Sequence, residues 1–125
     1  MLKIKRVYER RERGDGERIL VDRLWPRGLS TRAASVDRWM KDLGPSHMLR
    51  KWFGHDPARW SEFRRRYLAE LRSHRQALTA IGRTSRTHTV TLLFGARDRV
   101  HNNAVVLKGV IERQKRRPGT RGRAA

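Results

Sequence analysis

The chain has 125 residues, of which 37% are hydrophobic, enough for one domain with a single modest core. It contains no cysteine, which excludes disulfides, thiolate metal sites and cysteine nucleophiles. No segment approaches the roughly 20 apolar residues of a membrane span, and the first ten residues lack an apolar signal core. We therefore expect a cytoplasmic protein with no membrane partner.

A formal net charge of +19 is the most unusual feature of the composition, since 31 Lys and Arg oppose 12 acidic residues. Such a surface attracts phosphate backbones. A strong preference for arginine over lysine also arises from GC-rich coding wherever a cation is tolerated. The composition therefore predicts nonspecific affinity for nucleic acid, but it does not favour nucleic acid as the evolved ligand.

The first half of the chain predicts two strands and a short helix. Residues 3–8 alternate polar and apolar side chains, with Ile4 and either Val7 or Tyr8 facing inward. Residues 18–25 contain a continuous apolar run and are interpreted as a buried central strand, after a turn at residues 14–16. The apolar spacing over residues 31–43 predicts a helix that Gly44 and Pro45 stop.

The middle of the chain predicts two further helices. Ser46 is a plausible N-cap for a helical turn over residues 47–53. Asp56 caps the longest helix, whose first residue, Pro57, needs no N–H donor there. We expect this helix to end at Gly82, with a loop over residues 82–87. Its apolar stripe is spaced by three and four residues and comprises Trp60, Phe63, Tyr67, Leu71, His74 and Leu78.

The last part of the chain predicts a strand over residues 88–94 and a helix over about 102–114. Strands separated by helical segments favour a single-domain α/β fold, with a small parallel or mixed sheet of about three to four strands flanked by helices. We place the folded domain at residues 1–112. Residues 113–125 are interpreted as a basic, disordered tail, broken by Pro118 and Gly119.

Three segments together resemble the YeaO-like family of small bacterial proteins of unknown function. They are VDRLWPRG (21–28), PSHMLRKWFGHDPARWSEFRRRYLAEL (45–71) and TLLFGARDRVHNNAVVL (91–107). The resemblance implies an α/β fold and no established activity. A broader set of relatives is similar at Asp22 and Pro26, but these relatives carry a Cys-His-Arg turn where this chain has residues 101–103. Chemistry that depends on that thiol is absent here.

Polar residues follow both apolar strands, and the carboxyl ends of parallel strands are where ligands usually bind. After residues 19–21 come Asp22, Arg23, Trp25 and Arg27, and after residues 90–94 come Arg97, Asp98, His101 and Asn102. An arginine there is suited to a bidentate anion contact, and an indole to stacking. The family pattern implies that Lys41, Ser46 and Arg50 line the same cleft, although Ser46 is better explained as a helix cap.

Each candidate also has a structural interpretation. Asp22 and Arg23 are equally consistent with a buried ion pair, and Trp25 with the core. Asn102 or Asn103 is more often a helix cap than a catalytic group, although a helix start here would also offer N–H groups to an anion. His55 next to Asp56 is explained by capping. The five histidines lack metal-site spacing, and neither a metal nor a cofactor is predicted.

Three functions remain open from the sequence. The first is a small α/β domain whose cationic pocket binds a phosphate- or carboxylate-bearing ligand such as a nucleotide. The second is a hydrolase in which His101 or Asp22 is the general base and Arg27 and Arg97 hold the substrate. The third is a nonspecific nucleic-acid-associated protein that uses the arginines of the long helix and the tail. The sequence specifies no oligomeric state.

Overall fold

The computed structural model describes residues 1–115 and contains one four-stranded sheet. The strands are β1 (Leu2–Arg6), β2 (Glu17–Leu20), β3 (Arg38–Trp39) and β4 (Val90–Phe94). Their order is β1-β4-β2-β3, and every neighbouring pair is parallel. The predicted single-domain α/β fold is therefore confirmed, and the strands of the two apolar runs, β2 and β4, are parallel neighbours.

The helices are α1 (Thr31–Ala34), α2 (His47–Phe53), α3 (Trp60–Leu71), α4 (Arg75–Thr87) and α5 (Asn103–Lys115). Two of the predicted helix starts are confirmed by their caps. Ser46 Oγ accepts the Leu49 N–H at 3.2 Å, and Asp56 Oδ1 accepts the Ala58 N–H at 3.0 Å. Asp56 and Pro57 open a 3-10 turn, Pro57–Arg59, that leads directly into α3.

The main core lies between one face of the sheet and helices α2 to α5. All five residues of β4 are buried, as expected for a central strand. From the predicted helical stripe, Phe63, Tyr67, Leu71 and Leu78 are buried, while Trp60 and His74 are half-buried. The single long helix was wrong, because a 3-10 turn at Arg72–His74 divides it into α3 and α4.

The predicted helix over residues 31–43 was also wrong. After α1, Ser35 adopts a left-handed conformation with φ 49°, which ends the helix. Arg38 and Trp39 then pair with β2 as the edge strand β3, and a 3-10 turn follows at Lys41–Leu43. Apolar residues spaced three and four apart here do not share a helix face, and Trp39 remains 41% exposed.

Gly82 does not end its helix. It is buried, and a Cβ there would lie 3.1 Å from Ile111 Cγ2, so its role is to let α4 approach α5 closely. Since α4 continues to Thr87, the predicted loop over residues 82–87 was wrong. The three predicted strands are each shorter than expected, and residue 8 lies outside β1.

Helix α5 continues to Lys115, three residues into the segment interpreted as a tail. The remaining tail, including Pro118 and Gly119, lies outside the described residues.

The other face of the sheet buries charge. Arg18 and Asp15 are fully buried, and Arg18 Nη1 donates to Asp15 Oδ2 at 2.9 Å. The rest of the Arg18 guanidinium donates to the carbonyls of Glu9, Ala34 and Ser35. Lys5 Nζ lies 3.0 Å from both Asp15 carboxylate oxygens. Lys5, Asp15 and Arg18 thus form a buried charged cluster on this face. The apolar packing on the same face is limited to a small set of buried side chains, Val7, Leu20, Ala34 and Leu93.

We expect Asp15→Asn to lower the free energy of unfolding by about 3–5 kcal/mol, because it leaves two buried cations without their counter-charge. Urea unfolding at pH 7 measures this loss, with Asp42→Asn, an exposed site, as the control. Equal stability of the two variants would contradict the buried-cluster account.

The same cluster predicts a pH dependence. Burial alone would raise the pKa of Asp15, but hydrogen bonds from Lys5, the Glu12 N–H and Arg18 lower it to about 2 from 3.8. Because the pKa is depressed in the folded state, its stabilisation is complete above about pH 4 and is lost as the pH falls towards 2. The free energies of unfolding of wild type and Asp15→Asn, measured in urea, should therefore approach each other as the pH falls from about 4 to about 2.

Phe63→Ala should cost about 3–5 kcal/mol, since the ring is buried and stacks on Phe53 with centroids 4.3 Å apart. Arg64→Ala, one residue further and exposed, should change the unfolding free energy by less than about 0.5 kcal/mol. Urea melts of both variants provide the measurement, and a small loss for Phe63→Ala would show that the main core is loosely packed at α3.

Candidate functional site

A cavity of about 240 Å³ lies where β1, β2 and β4 end. The loop after β2 forms one wall and the start of α5 forms another. Side chains from α2 and α3 close it from the core side. The lining residues are Tyr8, residues 22–27, Pro45, Arg50, Phe53, His55, Phe63, Gly95, Ala96 and residues 101–103. The structure thus brings together the two polar turns that the sequence placed after neighbouring strands.

Hydrogen bonds fix the end of β2 to three neighbouring elements. The Asp22 side chain accepts the Gly95 N–H at 2.9 Å, which ties it to the end of β4. The Asp22 carbonyl accepts from Trp39 Nε1 at 2.8 Å. The Val21 carbonyl accepts from Asn103 Nδ2 at 2.9 Å, which ties it to the first residue of α5. This wall of the cavity is therefore held from three directions.

The Asp22 carboxyl group lines the cavity in a poorly solvated position. Burial raises its pKa, while the Gly95 N–H, the Asn103 amide and the charges of His55 and Arg50 act in the opposite direction. Arg23 does not pair with it. Its guanidinium donates instead to the carbonyls of Pro45 and Gly44 at 2.9 and 2.8 Å. The sequence alternative of an Asp22–Arg23 ion pair is therefore wrong.

Arg50 is the cation of the cavity whose hydrogen bonding is incomplete. It lies on α2 and also lines the cavity. Its Nη2 is 3.0 Å from His47 Nδ1, while its Nε is buried and has no hydrogen-bond partner within residues 1–115. A buried donor without an acceptor costs about 1–3 kcal/mol. An acceptor on a bound molecule would remove that cost.

His101 is oriented by Asp98. The ring Nδ1 lies 2.8 Å from Asp98 Oδ2, and the ring packs edge-on against Trp60 with centroids 5.2 Å apart. The N–H groups of His101 and Val100 also donate to Asp98 Oδ1. The His101 backbone bond, its ring and the Val100 N–H lower the pKa of Asp98 to about 2. Asp98 therefore stays ionised. It does not line the cavity, and its role there is to orient the ring of His101, which does.

Asn102 is the N-cap of α5, as the structural interpretation proposed. Its Oδ1 accepts the Val105 N–H at 3.0 Å, and its Nδ2 donates to the Asp98 carbonyl at 2.9 Å. The side chain is buried and both of its polar atoms are occupied. Three N–H groups around this turn, those of residues 100, 101 and 105, are thus bonded within the protein.

The remaining predicted residues divide between the rim and the outside of the cavity. Arg27 and Trp25 line it, with Arg27 exposed and Trp25 half-buried. Trp25 Nε1 donates to the Leu29 carbonyl at 2.7 Å, and the ring packs edge-on against Trp39. Arg97 is exposed and is not part of the lining. Lys41 is also outside, with its Nζ 5.4 Å from the centre of the Trp39 ring.

Sequence reasoning missed several lining residues. His55 is held at the cavity by a left-handed backbone, with φ 58°, directly after Gly54 with φ 53°. The Gly-His pair before a helix cap was the available signal, and the capping explanation of Asp56 concealed it. Phe63 was assigned to the core alone and Phe53 to a helical turn, yet both residues belong to the cavity lining as well as to the core.

Within residues 1–115, no group of three or more His, Asp or Glu side chains is placed to hold a metal ion. Over the same residues, none of the helices combines the length and apolar character needed to cross a bilayer.

The fold and the cavity define a small α/β domain with a parallel sheet and an aromatic, arginine-containing pocket at its carboxyl edge. The chain belongs to the DUF488-N3i family, described as the inactive DUF488-N3 subclade, whose model matches residues 1–124. The predicted YeaO-like membership is thereby confirmed.

Two curated relatives illustrate the similarity. The chain is 42% identical to the uncharacterized protein YeaO of Escherichia coli over 106 residues, which cover 85% of this chain and 92% of YeaO. It is 38% identical to the uncharacterized protein Rv3073c of Mycobacterium tuberculosis over 110 residues, which cover 88% of this chain and 92% of the relative. No solved structure matches significantly.

We expect Asp22→Asn to increase the free energy of unfolding at pH 7. Since burial raises the pKa of this acid in the folded state, its ionised form is held at a cost that the neutral amide avoids. The amide still offers an oxygen to the Gly95 N–H. The gain should disappear below about pH 3.8, where Asp22 is protonated in both states, and urea unfolding at pH 7 and pH 3 measures it. A loss of stability at pH 7 would show that Asp22 is a structural anchor.

Proposed function

We propose that this protein binds a small ligand carrying a phosphate or carboxylate group in the cavity at the carboxyl edge of its sheet. The observation that supports this most directly concerns Arg50, a residue of the cavity lining whose buried Nε has no hydrogen-bond acceptor within the described residues 1–115. The proposal includes the cytoplasmic setting expected from the sequence.

The charge of the lining supports an anionic ligand. Arg23, Arg27 and Arg50 contribute three positive charges, and Asp22 is the single acidic residue of the lining. His55 and His101 add two imidazoles that are able to donate hydrogen bonds. Charge-assisted hydrogen bonds to a bound anion are worth about 1.5–3 kcal/mol each. The lining is therefore suited to bind negative charge.

The size of the cavity limits the ligand. About 240 Å³ is below the roughly 300–1,000 Å³ of pockets that accept drug-sized molecules. This favours a compact anion over a complete nucleotide, which would have to extend past Arg27 into solvent.

The two alternative functions have less support. The Asp98–His101 pair has the arrangement of a base and its orienting carboxylate, but the family is described as inactive, which argues against a hydrolase. For nucleic acid, two arginines of the α3 surface, Arg65 and Arg66, are already bonded to Glu62. That surface consequently offers less free positive charge than its sequence indicated.

The test is NMR titration of the ¹⁵N-labelled protein with acetate, benzoate, inorganic phosphate and phenyl phosphate. The indole N–H of Trp25, which lines the cavity, should shift, and that of Trp52, which lies outside it, should not. Arg50→Gln should weaken binding of the responding anion by roughly tenfold or more, while Arg64→Gln, an exposed control, should leave it unchanged. Equal losses in both variants, or shifts spread over α3, would refute the pocket and favour nonspecific binding of anions to surface arginines.

A further inference from the structure

The residues that line the cavity also indicate which type of anion it binds. We infer that its ligand is a carboxylate attached to a compact apolar or aromatic group, in preference to a phosphate ester. This inference rests on the proposed anion-binding function and narrows it to one substrate class.

The three arginines of the lining differ in how many of their N–H donors are available to a ligand. The Nε and Nη2 of Arg23 donate to the carbonyls of Pro45 and Gly44, so this side chain is committed to the loop. Arg27 is exposed at the rim, where solvent and salt screen its charge. Arg50 is the remaining guanidinium, and its buried Nε has no hydrogen-bond partner in the part of the chain that the structure describes. One guanidinium with an unbonded donor matches a single negative charge and a planar, two-oxygen acceptor.

An acidic residue, Asp22, also lines the cavity. Asp22 lies in the lining with its Oδ2 accepting the Gly95 N–H. When ionised, its charge repels a dianion twice as strongly as a monoanion. A phosphate ester carries close to two negative charges at neutral pH, because its second pKa is about 6. Asp22 therefore selects against the more highly charged ligand.

The backbone N–H groups near the cavity are already bonded within the protein. Phosphate sites commonly use several free N–H groups at a loop or a helix start. Here the N–H groups of Val100 and His101 donate to Asp98, that of Val105 donates to Asn102, and that of Gly95 donates to Asp22. The cavity therefore lacks these four donors.

Part of the cavity lining is apolar. The rings of Phe53 and Phe63 stack with centroids 4.3 Å apart, and both belong to the cavity lining. Leu24, Pro26 and Pro45 add further apolar surface. Inorganic phosphate or acetate would leave this surface unused, whereas the body of an aromatic carboxylate would cover it and gain the hydrophobic contribution.

The experiment compares probes that share one ring, namely benzoate, phenyl phosphate and the neutral amide benzamide. NMR titrations at pH 7.5 should show that wild type binds benzoate at least about tenfold more tightly than either of the others. Arg50→Gln should remove most of the advantage of benzoate over benzamide. Tighter binding of phenyl phosphate than of benzoate would overturn this inference and leave the anion pocket standing.

Asp22→Asn tests the selecting charge while keeping an oxygen for the Gly95 N–H. Removing one negative charge should raise the affinity for phenyl phosphate more than that for benzoate, so that the difference between the two narrows. An equal gain for both probes, or no gain for either, would show that Asp22 does not select by charge and would overturn the inference. If no anion binds wild type, the proposed function itself fails, whichever anion was favoured.

Discussion

The position of β4 between β1 and β2 is the constraint from which the rest of the molecule follows. Because both pairings are parallel, the loops after β1, β2 and β4 reach the same edge of the sheet. Gly95 is the meeting point of these loops. Its N–H bonds to Asp22 after β2, and its carbonyl accepts from Arg6 of β1 at 3.2 Å. A Cβ at Gly95 would lie only 3.1 Å from Asp22 Oδ2, so a glycine permits this close approach.

Arg18 and Arg50 differ in how completely their guanidinium groups are hydrogen-bonded, and this difference separates the closed face of the sheet from the cavity. Arg18 is fully buried, and its guanidinium is bonded to a carboxylate and three carbonyls. Arg50 has a buried Nε for which residues 1–115 provide no acceptor. A satisfied buried cation stabilises one particular structure, whereas an unsatisfied one is retained at a cost in free energy. The first belongs to the closed face of the sheet and the second to the cavity, which is why only the second suggests a ligand.

Periodicity and punctuation in the sequence were sufficient for much of the fold. The apolar runs identified the central strands, and Ser46 and Asp56 with Pro57 identified helix starts, because these signals act locally. Residues 31–43 failed because pairing of Arg38 and Trp39 with β2 overrode a helical spacing. The buried role of Asp15 was invisible for a similar reason. A Gly-Asp-Gly turn has no local sign that its carboxylate will meet two cations from different strands.

The site was predictable where it depends on strand ends and unpredictable where it depends on packing between distant helices. Asp22, Arg27 and His101 were found because parallel topology places them at one edge. Arg97 was included on the same ground, yet two residues beyond Gly95 the chain has already turned outwards, and its side chain is exposed. His55 and the two phenylalanines reach the cavity only because α2 and α3 pack over the sheet edge, which no local pattern encodes.

The pairing of β1 with β4 also sets the order in which the sheet can be assembled. Leu2 lies opposite Val90, so β1 has no partner during synthesis until β4, the last strand of the sheet, has been made. Before then, β2 has only the two-residue β3 beside it. Contacts of such long sequence separation slow folding, and an unpaired strand is exposed to aggregation while it waits. Lys3 and Lys5 of β1 place positive charge on that unpaired strand, and lysines on an unpaired strand disfavour pairing with another chain.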